Sequence, residues 1–329
     1  MTELRFDVLG IGNAIVDVLT RADDAFLEGE GLDKGVMTLI DSHRAESLYG
    51  AMGPAHEISG GSAANTLVGV AQFGSDAAFI GLVRNDQLGG IFRHDIRASG
   101  VSFETPAALE GPPTARCLIF VTPDAERTMN TFLGASVHMS PDLVDEALVA
   151  AAKVTYLEGY LWDAEPAKQA YLKAAKAAHA AGREVALSLS DPFCVERHRA
   201  SFLELVASHV DILFANEAEL TSLYEVESFD EALQRVRGHC KIAALTRSEK
   251  GAVILSQDEL HVIDAVPVEK VVDTTGAGDL FAAGFLHGYT KGLGLDLCGR
   301  LGALAAAEVI SHYGARPETN LAELAKQRL

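Results

Sequence analysis

The run Asp273-Thr274-Thr275-Gly276-Ala277-Gly278-Asp279, continued by the small and apolar residues Leu280 to Leu286, decides how the rest of the chain is read. Residues without bulk between polar groups let a backbone turn sharply, present successive N–H groups and enter a helix, which is the construction of an anion site. Phosphate suits such a turn. Asp279 is the odd member, because a carboxylate beside an anion repels it unless the carboxylate handles a proton or a cation there. Oxyanion donors next to a proton acceptor are what phosphoryl transfer to an alcohol requires. An Asp favoured in a first turn by the helix dipole is the plainer reading. A capping box is not, since Thr274 is followed three residues later by Ala277 and Thr275 by Gly278, where Glu or Gln is needed.

Working outward, a second glycine-before-helix element stands at Gly60-Gly61-Ser62-Ala63-Ala64-Asn65. Ser62 is the expected N-cap, Gly60 and Gly61 admit a ligand close to the backbone, and Asn65 offers a donor and an acceptor. Earlier still, Phe6 to Gly12 reads as a buried strand, with Asn13 and Asp17 beyond its end. A dinucleotide fingerprint fails there because its third glycine would fall on Ile15. The amide and carboxylate suit sugar hydroxyls, or else a turn in which both bond their own backbone. Arg116–Thr122 and Arg127–Leu133 flank Pro123-Asp124-Ala125-Glu126 as a hairpin, the core of a small separate sheet.

Beyond Pro141 strands alternate with helices: Val154–Leu161, the Ala-rich helix Glu165–Ala181, then Val185–Leu189, Ile212–Ala215, Ile242–Thr246 and Ala252–Leu255. This rhythm predicts an α/β fold, a mainly parallel central sheet with helices on both faces, plus a small β-sheet lid. The large unit is expected over residues 1–13, 42–100 and 136–329, the lid over about 14–41 and 101–135. Ligands bind beyond the C-terminal strand ends of such sheets, which draws attention to two segments. Asn216 and Glu219 share a helical face after one strand, placed either for a hydrated magnesium ion or for the dipole. Thr246 to Gly251, with Ser248 inside it, follows the next strand as a nucleotide-lining loop or a polar turn.

The 329 residues carry 46 acidic against 27 basic side chains, a formal charge of −19 that repels nucleic acid and anionic membranes. Cys117, Cys194, Cys240 and Cys298 form no C-x-x-C pair, so neither a zinc site nor a disulfide framework is expected. No signal segment or membrane-length apolar run is read, and the expected compartment is the cytoplasm. A P-loop is absent, there being no G-x-x-x-x-G-K-[ST].

With Asp273–Asp279, Gly60–Thr66 and Asn216–Glu219 in this order, the chain resembles the ribokinase-like (PfkB) family of carbohydrate and nucleoside kinases, and within it the adenosine kinase branch. The resemblance covers nearly the whole chain and implies ATP and Mg2+ as cofactors, with a monovalent cation left open. It makes Asp279 the base, gives the amides of Gly276, Ala277 and Gly278 to the phosphoryl group in flight, and lets Asn216 and Glu219 position magnesium through water. Asn13, Asp17, Gly60, Gly61 and Asn65 would hold ribose hydroxyls, Arg127 would reach phosphates or substrate from the lid, and Tyr160 would stack on the substrate base. Thr246, Ser248 and Gly251 would line ATP, although many members of the family have glycine where Ser248 stands. The implied reaction is ATP-dependent phosphorylation of a primary hydroxyl of a ribose-containing small molecule, adenosine first. A free-sugar kinase is the rival, and a non-catalytic nucleoside sensor the rival of another class. The chain is expected to act as a monomer or homodimer.

Overall fold

Fourteen strands form two sheets in a computed structural model that describes residues 3–124, 126–257 and 259–329. In chain order they are β1 (Phe6–Ile11), β2 (Ile15–Arg21), β3 (Met37–Leu39), β4 (His56–Gly60), β5 (Ala77–Ile80), β6 (Val101–Phe103), β7 (Ala115–Val121), β8 (Arg127–Phe132), β9 (Ala152–Glu158), β10 (Glu184–Ser188), β11 (Ile212–Asn216), β12 (Ile242–Thr246), β13 (Ala252–Ser256) and β14 (Leu260–Ile263). The main sheet runs β14-β13-β12-β11-β10-β9-β1-β5-β6. Its strands from β12 to β6 are parallel, and β13 and β14 add an antiparallel edge.

The apolar runs read as strands are buried on both faces because helices cover both. The helices Ser62–Gln72, Ala277–Thr290 and Leu295–Val309 pack on one face, and Glu165–Ala180, Pro192–His209 and Glu217–Tyr224 on the other. Glu165–Ala180 shows why the sequence folds so. Pro166 sits in its first turn, Ala167, Ala170, Tyr171, Ala174, Ala175 and Ala178 recur at helical spacing on its buried side, and Gly182 leaves it at φ 70°. This is the ribokinase-like α/β architecture expected from the sequence. No helix among the described residues is long and apolar enough to cross a membrane.

The second sheet has the order β3-β8-β7-β2-β4. The hairpin β7–β8 is antiparallel from Arg116↔Phe132 to Val121↔Arg127, as expected, while Ala125 in its turn lies outside the described residues. Two expected boundaries move. β4 pairs antiparallel with β2, so residues 56–60 belong to the small sheet and not to the large unit. Conversely β6, placed with the lid from the sequence, is the parallel edge of the main sheet beside β5. Both strands are too short for periodicity to assign them to a sheet, and pairing decides. The strand expected over Val154–Leu161 ends at Glu158, where the 3-10 turn Gly159–Asp163 begins.

Candidate active site

From β1 the chain steps outward to β5 and β6, and after the second sheet it resumes on the other side of β1 with β9, β10, β11 and β12. The reversal leaves a crevice past the C-terminal ends of β1 and β9, the place where open α/β sheets bind ligands. A cleft of about 1250 Å³ occupies it, walled on one side by the second sheet. Asn13 sits in the three-residue link that carries the chain from β1 into β2. Its N–H and Nδ2 both donate to Glu158 Oε1, at 2.8 and 2.6 Å, while Glu158 Oε2 accepts from Ala63 N–H at 2.7 Å. Burial pushes the Glu158 carboxyl up to about 7, against these hydrogen bonds. The buried Asn13 Oδ1 and Asn65 Oδ1 have no hydrogen-bond partner among the described residues, two acceptors left for a ligand.

Asp17 points from β2 into the cleft and accepts no hydrogen bond from the described residues. Burial pushes its carboxyl up to about 6, partly offset by the charges of Arg316 and Arg127. Gly60 does not line the cleft. It lies behind Asp17, where any side chain would strike the carboxylate. Gly61 does line it, at φ 99°, and an added Cβ there would run into Asn13 O. The sequence therefore needs glycine twice so that β4 can turn into the Ser62–Gln72 helix against Asn13 and Asp17.

That helix has Gly61 as its cap position and no side-chain cap, which corrects the expected role of Ser62. Ser62 Oγ–H instead donates to Asp279 Oδ1 at 2.6 Å, and Asn65 Nδ2 donates to Asp279 Oδ2 at 3.2 Å. The two glycine elements thus meet on one carboxylate. Burial raises the Asp279 carboxyl above its usual range, while Ser62, Asn65 and Arg316 pull it back. Asp279 opens the helix Ala277–Thr290, entered through Gly276 at φ 80° and capped by no side chain. Its first-turn amides lack intrahelical acceptors, although Ala277 N–H faces Thr274 O at 3.2 Å. Asp273 braces the turn by accepting from Thr275 N–H and Oγ–H at 2.9 and 2.6 Å. Arg127 reaches across from β8 to pair with Asp273, so the second sheet touches the Asp273–Asp279 turn directly.

Asn216 and Glu219 form a reciprocal capping box. Asn216 Oδ1 accepts from Glu219 N–H at 2.8 Å, and Glu219 Oε2 accepts from Asn216 N–H at 2.9 Å. Glu219 Oε1 also holds Asn216 Nδ2 at 2.6 Å, and burial pushes the carboxyl up to about 7. Among the described residues no three His, Cys, Asp or Glu side chains gather as a metal site. The pair on the cleft wall fits a hydrated Mg2+ held through water, and it does not fit a cation stripped to protein ligands. Thr246 to Gly251 is the turn between β12 and the antiparallel β13, with Thr246, Ser248 and Gly251 on the cleft. Ser248 has φ 52°, the left-handed region that favours glycine. Val266, Val268, Ala306 and Ile310 add an apolar stretch to the cleft wall.

An uncapped helix start, a carboxylate held by the second glycine element and a capping box at the end of β11 stand round one cleft. The pfkB family carbohydrate kinase model matches residues 41–321. The chain belongs to that family. As a member of the pfkB family it is a phosphotransferase acting on an alcohol group of a sugar or nucleoside. Over 98% of its length it is 56% identical to a probable sugar kinase from Rhizobium etli, covering 98% of that chain with a TM-score of 0.91. It is also 56% identical to the adenosine kinase from Sinorhizobium meliloti, over 98% of this chain and 99% of that one, with a TM-score of 0.90. A nucleoside kinase from Methanocaldococcus jannaschii is 28% identical over 81% of this chain and 83% of the relative.

Tyr160 lies on the same cleft, its OH donating to Ser190 O at 3.3 Å. Sequence reasoning missed Glu158, Ser62 and Arg316. For Glu158 a signal existed, a lone carboxylate closing the apolar run Val154–Leu157 just before Gly159. Ser62 was legible only as a cap, and Arg316 carries no local pattern.

Proposed function

We propose that the chain is an ATP-dependent adenosine kinase that phosphorylates the primary hydroxyl of the ribose. The observation that carries this reading is the inner face of the second sheet. Asp17 stands on it among Ile15, Leu19, Ile58, Ile119 and Met129, all lining the cleft. One unpaired carboxylate on an apolar wall matches a molecule with vicinal hydroxyls and a flat hydrophobic base, whereas a free sugar would leave the wall uncovered. The likeness to the Sinorhizobium meliloti adenosine kinase supports the same reading.

In this mechanism Asp17, Asn13 and Asn65 orient the ribose, and Asp279 takes the proton of the attacking hydroxyl. The amides at the start of the Ala277–Thr290 helix stabilise the charge that develops on the transferred group. Magnesium, when bound with ATP, neutralises phosphate charge, and Asn216 and Glu219 would hold its water shell. Arg127 would exchange Asp273 for the phosphates as the second sheet closes. Kinase assays across nucleosides and free sugars test the acceptor. The expected result is the highest kcat/KM for adenosine, and ribose phosphorylated as efficiently would replace this reading with a free-sugar kinase.

A further inference from the structure

Gly314, Ala315 and Arg316 follow the last long helix, outside every motif of the sequence, yet they touch both ends of the site. Gly314 N–H donates to Asp273 Oδ2 at 2.9 Å, and Ala315 packs where a side chain on Gly276 would project. Arg316 reaches the other way. Its Nη2 donates to Ser59 O at 2.6 Å and to Ser59 Oγ at 3.0 Å, and its Nη1 to Ala64 O at 3.3 Å. Asp95 Oδ2 fixes Ser59 in turn, accepting from its N–H at 2.8 Å and its Oγ–H at 2.5 Å. The guanidinium fork therefore straddles the Gly60-Gly61 turn.

Its charge faces Asp95, Asp17 and Asp279, and although burial pushes it down to about 10, it remains cationic at neutral pH. Asp279 has Ser62, Asn65 and Arg316 against it and shares its surroundings with Asp17, Glu158, Tyr156 and Tyr160; Arg127 is the other cation acting on Asp17. Two carboxylates in one cleft oppose each other's ionisation, and a cation between them relieves this.

We propose that Arg316 is a positioning residue for phosphoryl transfer: it ties the acceptor turn to the phosphate turn and supplies the positive charge that lets Asp17 and Asp279 share one cleft. The role rests on the assignment of Asp279 as base in the kinase reading above. Lysine is a poor replacement, because one ammonium cannot span Ser59 and Ala64 as a planar fork does.

The test compares the parent with Arg316→Met and Arg316→Lys, after thermal melts establish that each is folded. Steady-state rates with adenosine are measured from acid to alkaline pH. A base without its cation keeps its proton to higher pH, so Arg316→Met moves the acid limb of kcat/KM upward by about one to three pH units. Arg316→Lys leaves that limb near the parent's and raises KM for the acceptor about tenfold. A second arm titrates 13C-labelled aspartate carboxyls by NMR, with Asp17→Asn and Asp279→Asn identifying the signals, and needs no turnover. If adenosine is not phosphorylated but both carboxyls titrate higher in Arg316→Met, the substrate reading falls and the role of Arg316 stands. A folded Arg316→Met with an unmoved acid limb and unmoved carboxyls overturns it. Should Arg316→Met not fold, an Arg316→Lys variant with parental KM overturns the tie between the turns.

Discussion

Asp279 and Glu219 are both carboxylates in the first turn of a helix that opens on the cleft, and their hydrogen bonds are made in opposite ways. Glu219 is answered three residues back, by Asn216, and answers it in return. Among the described residues Asp279 is answered by hydrogen bonds only from Ser62 and Asn65, 217 and 214 residues away. A carboxylate satisfied within its own turn stabilises the helix whatever the protein binds. One satisfied by a distant helix exists in that geometry only in the complete fold, and its partners face the same ligand space. Buried first-turn acids are therefore told apart by the distance along the chain to their partners.

The largest break in this comparison is expected at Asp279. Asp279→Asn fills the same volume and cannot accept the proton, so kcat should fall by roughly 10²- to 10⁴-fold with a melting temperature near the parent's. Rates close to the parent's would remove Asp279 as the base. Asp17 comes next, since it too has no local partner among the described residues. Asp17→Ala should lower kcat/KM for adenosine at least about tenfold, the cost of a lost hydroxyl contact being roughly 1–3 kcal/mol. 2′-Deoxyadenosine should be a poor substrate for the parent and lose proportionately less in the variant; equal losses for both nucleosides would separate Asp17 from the 2′-hydroxyl.

Glu219 should behave as the opposite member. Glu219→Ala removes half of a capping box and should cost about 1 kcal/mol in denaturant unfolding. Glu219→Gln keeps the box and should recover most of that, while raising the magnesium needed for half-maximal rate. An unchanged magnesium titration would leave Glu219 with the cap alone. The smallest effect sharpens the point through pH. A carboxyl raised from 4.5 to about 7 in the folded state binds its proton more tightly than in the unfolded chain. Its contribution is therefore full below 4.5, declines as pH rises towards about 7 and is flat above. Melting temperatures followed across that window should fall less steeply in Glu219→Gln than in the parent, and parallel curves would contradict the raised carboxyl.

How much of this was legible in the sequence follows the same division. The strand and helix rhythm after Pro141 is local, and it gave the parallel sheet and the strand ends that carry Asn216 and Thr246. The two glycine elements were legible because a turn requires small residues in fixed order. The capping spacing that Thr274 and Thr275 lack is present at Asn216 and Glu219, so this box was legible in the sequence as well. Ser62 took the bland role of cap because its true partner is more than two hundred residues away. Arg316 has no periodicity, motif or neighbour in sequence to mark it, only contacts with Ser59 and Ala64 that the fold creates. β4 and β6 exchanged sheets because strands of five and three residues carry too little pattern to choose between two sheets.

The order in which these parts leave the ribosome gives the switch between β1 and β9 a consequence in time. Asn13, Asp17, Gly61, Asn65 and Glu158 all lie within the first half of the chain, and pairing of β9 with β1 is enough to bring Glu158 onto Asn13. Asp279 is translated more than a hundred residues later, a delay on the order of ten seconds at ordinary elongation rates. A nascent chain thus carries Asn13 and its partner Glu158 well before Asp279 is added, and the carboxylate that Ser62 and Asn65 hold is the last of these parts to arrive.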